Sequence, residues 1–427
     1  MSLTSPSPPL RELTGRQRRW IGGGYLSMFS SLAGQTVFIA LFGAAIRAEF
    51  ALSSGQYGLI YTVATLCSAV LLVWAGGLAD RLPASWLGAG SALGVALMCV
   101  LISIAPNFAV LGIALFGLRF FGQGMLTHSA ATALGRWFNR FRGRALAIAQ
   151  LGLNTGEAVL PVAVAFGIAA IGWRNVWLVA AAVLILVLAP AIAYAFSNPP
   201  DGKRARAAGE ENPDPGEAHA TGEQWTRRAV LSDPLFWPVL IGLLAMPAIS
   251  TAIFFHQSVL VAEKGWGLLT FAAFFPVMSV ASVISSIAGG WLVDRFGAYR
   301  LLPLLLVPAS LAYMVIATTS AFWAIPAFFL LSGFTNGANG TVMNAMWAEL
   351  YGTRHLGAVR AIATSAMVLS SAVGPGIVGF FVDAGVSIGQ QAPFFSAYCL
   401  GASAVFFALR AQLGHRRASF LTRTDPV

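Results

Sequence analysis

Twelve apolar runs, each long enough to cross a lipid bilayer, dominate the sequence. A membrane-spanning helix needs about 20 consecutive apolar residues. Only 10% of the residues are charged, against about 25% in ordinary soluble domains. The pattern therefore excludes a soluble fold and predicts an all-α integral membrane protein with twelve transmembrane helices. The predicted spans are 21–46, 55–79, 84–105, 108–134, 145–170, 175–196, 235–261, 268–292, 301–319, 322–347, 359–382 and 392–411.

The basic residues are sorted between the two sides of the predicted membrane. If the N-terminus is cytoplasmic, all but four of the 26 Lys and Arg residues fall on the cytoplasmic side, the exceptions being Arg47, Arg119, Arg174 and Lys264. Cytoplasmic loops are enriched in these residues. The net charge of +10 therefore indicates topology rather than nucleic-acid binding. We expect both termini to be cytoplasmic and the protein to lie in the cell (inner) membrane.

The interval between the sixth and seventh runs is the one long hydrophilic stretch. It is rich in Pro, Gly and charged residues and has almost no apolar residues with which to form a core, so it is expected to be a flexible linker. The predicted organisation is a cytoplasmic segment (1–20), a six-helix bundle (21–196), a cytoplasmic linker (197–233), a second six-helix bundle (234–412) and a cytoplasmic tail (413–427).

The two sets of six runs are related by a constant shift. The sequence GGLADR at 76–81 recurs as GWLVDR at 290–295, an offset of 214. The same offset relates Gly143 to Gly357 and Pro161 to Pro375. Two parallel six-span repeats joined by a polar linker are typical of secondary transporters, whose substrate site lies at the repeat interface.

The repeated loop resembles the signature of the major facilitator superfamily, Gly-x-x-x-Asp-Arg-x-Gly-x-x-basic. The second copy has Gly290, Asp294, Arg295, Gly297 and a basic residue at 300. The first copy has Gly76, Asp80 and Arg81, with Pro83 in place of the second glycine. The run RFFGQG at 119–124 looks like a further Arg-x-x-x-Gln-Gly motif of the family in the fourth span.

The resemblance extends from about residue 20 to residue 413. It implies two pseudo-symmetric six-helix bundles, alternating access, and a gating role for the loops containing Asp80, Arg81, Gly290, Asp294, Arg295 and Gly297. Each Asp is placed to interact with a neighbouring helix N-terminus, and each Arg with a carboxylate or helix carbonyls. A simpler role as a topology anchor remains the alternative.

Two opposite charges lie well inside predicted spans: Arg119 in the fourth and Glu157 in the fifth. Each would cost about 2.5–3.5 kcal/mol at the bilayer centre. Counted from the loop that joins the two spans, they differ in depth by about one helical turn, so an ion pair is geometrically allowed. Gln150 and Asn154 share a helical stripe with Glu157, and Gln123 lies one turn from Arg119. These five residues predict a substrate-binding or coupling site, with an internal strut between two helices as the alternative.

The second half has no matching charges, because the positions equivalent to Arg119 and Glu157 are Gly333 and Ser371. Its candidate polar groups are His256, Gln257, Asn336 and Asn339. Imidazole titrates near neutrality, which suits a proton or substrate role for His256. Packing and close helix approach are the alternatives for all four.

We therefore expect a secondary transporter, with proton-coupled transport of a small organic anion such as a monocarboxylate as the leading hypothesis. Proton-antiport efflux of a hydrophobic or cationic compound is the alternative. The expected partners are a small-molecule substrate, protons and the lipid bilayer, with no nucleic acid, and the protein is expected to act as a monomer. The sequence has no metal-ligand spacing, nucleophile–base pair or Walker motif, so neither a metal, a cofactor nor an enzymatic activity is expected.

Overall fold

The structure, a computed structural model, describes residues 13–138, 142–199, 225–352 and 356–422, apart from the side chains of residues 80, 142, 344, 357, 358 and 418–422. The described residues form helices joined by short turns, with no β-strand among them. The predicted all-α membrane fold is confirmed. In this part of the chain, eleven helices are long and apolar enough to cross a membrane. The remaining predicted span, 322–347, coincides with the 28-residue helix Ala324–Tyr351.

We label the twelve long helices α1–α12 in chain order. Their bounds are α1 (Gly15–Leu41), α2 (Ser54–Ala75), α3 (Ala84–Ser103), α4 (Phe108–Trp137), α5 (Arg142–Ile171), α6 (Trp173–Ala195), α7 (Phe236–Phe255), α8 (Leu268–Phe296), α9 (Ala298–Thr318), α10 (Ala324–Tyr351), α11 (Leu356–Asp383) and α12 (Ile388–Thr422). Short helices are Gly43–Glu49, Leu78–Arg81, Arg227–Leu231 and Gln257–Lys264.

Several of the long helices are interrupted by other helical geometry. In α1, a 3₁₀ turn spans Ser31–Gly34. Wider π-helical segments, with hydrogen bonds five residues apart, occur in α4, α6 and α7, at Leu118–Leu126, Leu184–Leu188 and Met246–Ser250. Single residues or short turns also divide α8 and α9, at residues 273–274 and 306. Such π segments are frequent at functional sites.

The helix starts reproduce the repeat seen in the sequence. Helices α2 and α8 start at residues 54 and 268, α3 and α9 at 84 and 298, and α5 and α11 at 142 and 356, which are differences of 214 in each case. The two halves therefore share one helix layout.

Contacts divide the chain into two compact units. The first comprises Met1–Leu52 and Ile60–Ala208, and the second comprises Ser53–Leu59 and Gly209–Val427. In the first unit, Phe42 stacks on the fully buried Trp177 at 4.4 Å between ring centroids. In the second, aromatic rings from α7, α8 and α10 pack together, with Phe275 and Phe329 4.8 Å apart. Each unit therefore has its own aromatic core.

The starts of α2 and α12, both in the second unit, have complete hydrogen bonding of their first amides. At α2, Ser53 and Gln56 form a reciprocal capping box, and Asp383 accepts hydrogen bonds from the amides of Ser54 and Gly55 at 2.9 and 2.8 Å. At α12, Ser387 and Gln390 form the same box, and Glu263 accepts from the amides of residues 388 and 389 at 2.8 and 2.9 Å. A distant carboxylate thus supplies the acceptors that the local box lacks.

The ends of the predicted segments differ from the structure. Helix α1 starts at Gly15, within the predicted N-terminal segment, because Thr14 and Gln17 form a capping box there. Helix α12 continues to Thr422, past the predicted start of the tail at residue 413. Much of the predicted linker, at residues 200–224, lies outside the described part of the chain.

The last part of the predicted linker contains regular structure. Residues Arg227–Leu231 form a helix, and Asp233 is 2% exposed. Its carboxylate accepts two hydrogen bonds from Arg416 of α12, at 2.7 and 3.1 Å, and one from the hydroxyl of Tyr351 at 2.8 Å. This buried cluster fixes the entry into α7. It could not be predicted from the sequence because its members are far apart in the chain.

Candidate functional site

The candidate site in the first unit is built around a break in α1. After the 3₁₀ turn Ser31–Gly34, Gln35 is extended, with φ −84° and ψ 150°, and the helix resumes at Thr36. Backbone groups at such a break need partners from outside the helix, because lipid supplies none. The carbonyl of Gly34 therefore becomes available to a side chain from another helix.

Two glycines bring α4 against this break. A Cβ on Gly122 would lie 2.8 Å from the Cα of Gly34, closer than real Cβ atoms approach other atoms. Gly122 belongs to the π-helical segment Leu118–Leu126. The same segment contains Arg119, one of the predicted site residues, so the close approach places its side chain beside the break.

The guanidinium of Arg119 binds neutral groups of α1 and α2. The residue is 3% exposed, and its Nη1 donates to the Gly34 carbonyl at 3.1 Å and to the Thr36 hydroxyl at 3.4 Å. Its Cζ lies 5.3 Å from the centroid of the Tyr61 ring, a cation–π distance. The Tyr61 and Thr36 hydroxyls are 2.6 Å apart. Gly34, Thr36 and Tyr61 were not predicted from the sequence, since each lies inside an apolar run.

The geometrically allowed ion pair between Arg119 and Glu157 does not form. Within the described part of the chain, no carboxylate forms an ion pair with Arg119, and the carboxylate of Glu157 has no hydrogen-bond or ion-pair partner. The physical reason is the break in α1, which offers Arg119 a backbone carbonyl and a hydroxyl. A regular helix in place of the broken α1 would offer no such acceptors, and nothing in the sequence indicated the break.

Glu157 lies on α5 next to the broken helix. It is partly buried, and its neighbour Gly156 packs on α1, where a Cβ would lie 3.1 Å from Leu32. Of the other predicted polar residues, Gln150 is exposed, whereas Asn154 and Gln123 are partly buried. None of these three side chains hydrogen-bonds to another described residue. All are therefore available to water or to a bound molecule.

An apolar cavity of about 230 Å³ lies between α1, α5 and α6 of the first unit. Its lining includes Phe29 of α1, Leu160 and Val164 of α5, and Val179 of α6. Glu157 lies three residues, about one turn, before Leu160 on α5. Glu157 thus belongs to a helix that lines the cavity but is not itself among the lining residues.

In the second unit, His256 and Gln257 are buried in the protein interior. His256 is 1% exposed at a kink between α7 and the short helix Gln257–Lys264, and its Nε2 lies 2.8 Å from the Pro375 carbonyl of α11. A carbonyl only accepts hydrogen bonds, so Nε2 carries the proton. Gln257 is fully buried. The contact joins α7 to α11 at a proline in the interior of α11.

The asparagines of α10 differ in exposure. Asn336 is exposed, whereas Asn339 is partly buried and its Oδ1 has no hydrogen-bond donor among the described residues. A Cβ on the intervening Gly337 would collide with the Ser282 carbonyl of α8. Gly333 and Gly337 therefore serve close packing of α10 with α8, while Asn339 offers an acceptor unused by the described residues.

In the signature loops, the described residues do not form the predicted contacts of Asp with a helix N-terminus and of Arg with a carboxylate. The side chain of Asp80 lies outside the described residues, and Arg81 is exposed. In the second copy Asp294 is exposed and does not cap α9. Instead, the carboxylate of Glu349, on α10, accepts from the Ala298 amide at 3.0 Å with both oxygens. Glu349 reaches the amide from another helix, and the sequence analysis missed it for that reason.

Gly290, Gly297 and Arg295 have separate local roles. Gly290 is partly buried within α8. Gly297 ends α8 with φ +86°, a conformation that favours glycine. Arg295 is exposed and lies over the rings of Trp291 and Phe296, at 5.3 and 5.5 Å from their centroids, rather than against a carboxylate. Among the described residues, no group of three or more His, Cys, Asp or Glu residues could hold a metal ion.

Comparison with known proteins agrees with this architecture. The sequence model of the Major Facilitator Superfamily matches residues 24–375 and 279–421. The chain belongs to this superfamily and is a multi-pass membrane protein. The resemblance stated from the loop signatures is therefore confirmed at the level of the superfamily.

Individual relatives match part of their length. The chain is 31% identical over 201 residues to the class C tetracycline resistance protein of Escherichia coli, covering 45% of each protein. It is 26% identical over 265 residues to a probable sulfoacetate transporter of Cupriavidus necator, covering 58% of this chain and 59% of that one. The chain thus matches about half the length of these relatives.

A solved structure matches nearly the whole fold. It is a crystal structure of a bacterial homologue of the human lysosomal transporter Spinster, in an inward-facing and unoccupied conformation. The TM-score is 0.69 at 16% sequence identity, over 96% of this chain and 98% of that one. At this identity the similarity concerns the fold alone.

Proposed function

We propose that this protein is a secondary transporter that moves a small organic anion, such as a monocarboxylate, together with protons by alternating access. Membership of the superfamily supports the transport activity. The substrate class rests on the residues of the first unit. The single observation that carries it is the buried Arg119, a cation without a carboxylate partner among the described residues.

An unpaired buried cation favours an anionic ligand. A charge near the bilayer centre costs about 2.5–3.5 kcal/mol on the insertion scale, and intramembrane charges usually mark substrate or ion pathways. Neutral acceptors from Gly34 and Thr36 satisfy part of the hydrogen bonding of Arg119 but do not neutralise its charge. An anion bound to the guanidinium would provide that neutralisation. The probable sulfoacetate transporter among the relatives, whose named substrate is an anion, supports this assignment.

Proton coupling is assigned to Glu157. Its carboxylate has no described partner, so protonation would remove an uncompensated charge from the membrane interior. An anion on Arg119 and a proton on Glu157 would cross as a neutral load. Gln123, Gln150 and Asn154 would solvate or contact the substrate. In the second half, His256, Gln257, Asn336 and Asn339 are proposed as further substrate- or proton-binding groups.

The loops and the topology belong to the same proposal. Asp80, Arg81, Gly290, Asp294, Arg295 and Gly297 would contribute to gating. Both termini would be cytoplasmic in the inner membrane, and the protein would act as a monomer.

Efflux of a hydrophobic cation is the second candidate function. It is favoured by the carboxylate of Glu157, which has no partner among the described residues and belongs to α5, one of the helices that line the apolar cavity. The tetracycline resistance protein among the relatives is compatible with it. In this case Glu157 would exchange a proton for the cation, and Arg119 would not contact the substrate.

Counterflow in proteoliposomes separates the two functions. Vesicles containing the purified full-length protein are loaded with unlabelled pyruvate, lactate or tetraphenylphosphonium, and uptake of the labelled compound is followed without ATP. We expect transient accumulation of a monocarboxylate, reduced about 10-fold or more in Arg119→Gln because a charge-assisted hydrogen bond is lost.

Arg410→Gln is the matched control, because Arg410 is exposed and stacks on Phe407 at the other end of the sequence. It should retain wild-type counterflow. Counterflow of the cation alone, or monocarboxylate counterflow unchanged in Arg119→Gln, would contradict the anion assignment.

A further inference from the structure

We propose that Thr36 and Tyr61 are positioning residues that turn the Nε–Nη2 edge of Arg119 toward the substrate, where it binds one carboxylate through two parallel hydrogen bonds. This inference rests on the proposed function and specifies its substrate group. It concerns the geometry with which the anion is held.

The donors of Arg119 are unequally used. Nη1 has two acceptors, the Gly34 carbonyl and the Thr36 hydroxyl. Nε is buried and has no acceptor among the described residues, and no described residue accepts from Nη2. Nε and Nη2 lie on the same edge of the planar guanidinium, so one whole edge is left for a ligand. That edge matches the two oxygens of a carboxylate.

Thr36 and Tyr61 restrict how the guanidinium lies. The Tyr61 ring is 5.3 Å from Cζ of Arg119, and its hydroxyl is 2.6 Å from the Thr36 hydroxyl, which is itself 3.4 Å from Nη1. Tyr61 is fully buried. The ring and the hydroxyl pair therefore hold Nη1 against α1, which prevents Nη1 from competing with Nε for the ligand.

The break in α1 makes this arrangement possible. Thr36 is the first residue of the resumed helix, and Gly34 is the last of the 3₁₀ turn. In a continuous α-helix the Gly34 carbonyl would accept from the backbone amide four residues on instead. The unusual backbone of α1 and the orientation of Arg119 are thus two parts of one site.

Lysine cannot reproduce such a site. Its ammonium group is a point charge without a planar pair of donors, so Arg119→Lys keeps the charge and loses the edge. A general attraction for anions would survive this substitution. Recognition of a carboxylate through the Nε–Nη2 edge would be lost in Arg119→Lys.

The test measures binding by isothermal titration to the purified full-length protein in detergent. The probes are acetate, pyruvate and benzoate, with acetamide and benzamide as neutral controls. We expect Arg119→Lys to raise the Kd for the carboxylates at least about 10-fold, and Thr36→Val and Tyr61→Phe to raise it about 5-fold or more. The amides should not bind any form.

Two further variants distinguish positioning from a general loss of structure. Thr36→Ser keeps the hydroxyl and should restore wild-type affinity. Thr65→Val makes the same change at a buried threonine of α2 whose hydroxyl has no described partner, and its Kd should stay within about twofold of wild type.

The outcomes separate this inference from the proposed function. If Arg119→Gln abolishes binding while Arg119→Lys and Thr36→Val bind as wild type, the anion site stands and the edge geometry is wrong. If Arg119→Gln binds the carboxylates as tightly as wild type, or if no carboxylate binds the wild-type protein, both proposals are wrong.

Discussion

Glu49 and Arg174 form an ion pair in the first unit, between the short helix Gly43–Glu49 and the start of α6. Arg174 Nε donates to a Glu49 oxygen at 3.0 Å, the Trp173 indole donates to the other at 2.9 Å, and Arg174 also donates to the carbonyls of Ser103 and Ala105. The hydrogen bond from Arg174 lowers the pKa of Glu49 below its ordinary value, while burial raises it more weakly. The ion pair therefore gives a structural role to Arg174, one of the basic residues that the charge pattern does not place on the cytoplasmic side.

This pair predicts a pH dependence of stability. Because the pKa is lower in the folded protein, the stabilisation is present above the unfolded value of about 4.5 and is lost as pH falls through the folded value. Thermal unfolding followed by fluorescence should show a decline on acidification below about pH 4.5 that is smaller in Glu49→Gln. The effect should be at most about 1 kcal/mol, since the side chains are 41% and 32% exposed. Asp294→Asn, at an exposed carboxylate, is the control; an equal decline in Glu49→Gln would contradict the prediction.

At the residue scale, the sequence located the two charges inside the helices but not the groups that bind Arg119. Arg119 and Glu157 stood out because they interrupt apolar runs. The partners of Arg119 could not be predicted because Gly34, Thr36 and Tyr61 lie in segments that have the pattern of uninterrupted apolar helix. Glu349, which caps α9, was missed for a related reason: only the three-dimensional fold brings α10 to that amide.

At the element scale, the first amides of α2 and α12 are bonded both locally and by a distant carboxylate. Asp383→Ala should leave the amides of Ser54 and Gly55 without their acceptor and lower the free energy of unfolding by about 1–2 kcal/mol. Asp383→Asn keeps one acceptor oxygen and should lose less. Differential scanning calorimetry in detergent checks both variants; equal stability of Asp383→Ala and wild type would show that the local capping box is sufficient.

The elements themselves were well predicted from the apolar runs, with most helix ends within a few residues. The interruptions were not, because 3₁₀ and π segments depend on close approach to a neighbouring helix. In α4, one π-helical segment contains both Gly122, which packs against Gly34, and Arg119. A glycine inside an apolar run is compatible with the close approach of another helix but does not say which helix approaches.

At the scale of the whole molecule, the two halves share a helix layout but not their charges. The offset of 214 relates the helix starts, while Gly333 and Ser371 stand where the first half has Arg119 and Glu157. The proposed anion and proton sites therefore both lie in the first half. Because anion binding is assigned to Arg119 and proton binding to Glu157, the two roles can be tested independently.

Glu157→Gln should separate transport from its driving force. The neutral amide stands in for a permanently protonated carboxyl, so monocarboxylate exchange should remain near wild type while uptake no longer responds to an imposed pH gradient. Proteoliposomes with equal and unequal internal pH, with and without valinomycin-clamped potential, measure both quantities. Uptake driven by the pH gradient as in wild type would contradict the coupling role of Glu157.

The most direct measurement is the anion dependence of thermal unfolding in the purified protein. A ligand that binds only the folded state stabilises it by an amount that grows with its concentration relative to Kd, about 2.7 kcal/mol at 100 times Kd. The unfolding temperature of the wild-type protein and of Arg410→Gln should rise with added monocarboxylate, and that of Arg119→Gln should not change. An equal rise in Arg119→Gln would show that the unpaired charge of Arg119 is not where the anion binds.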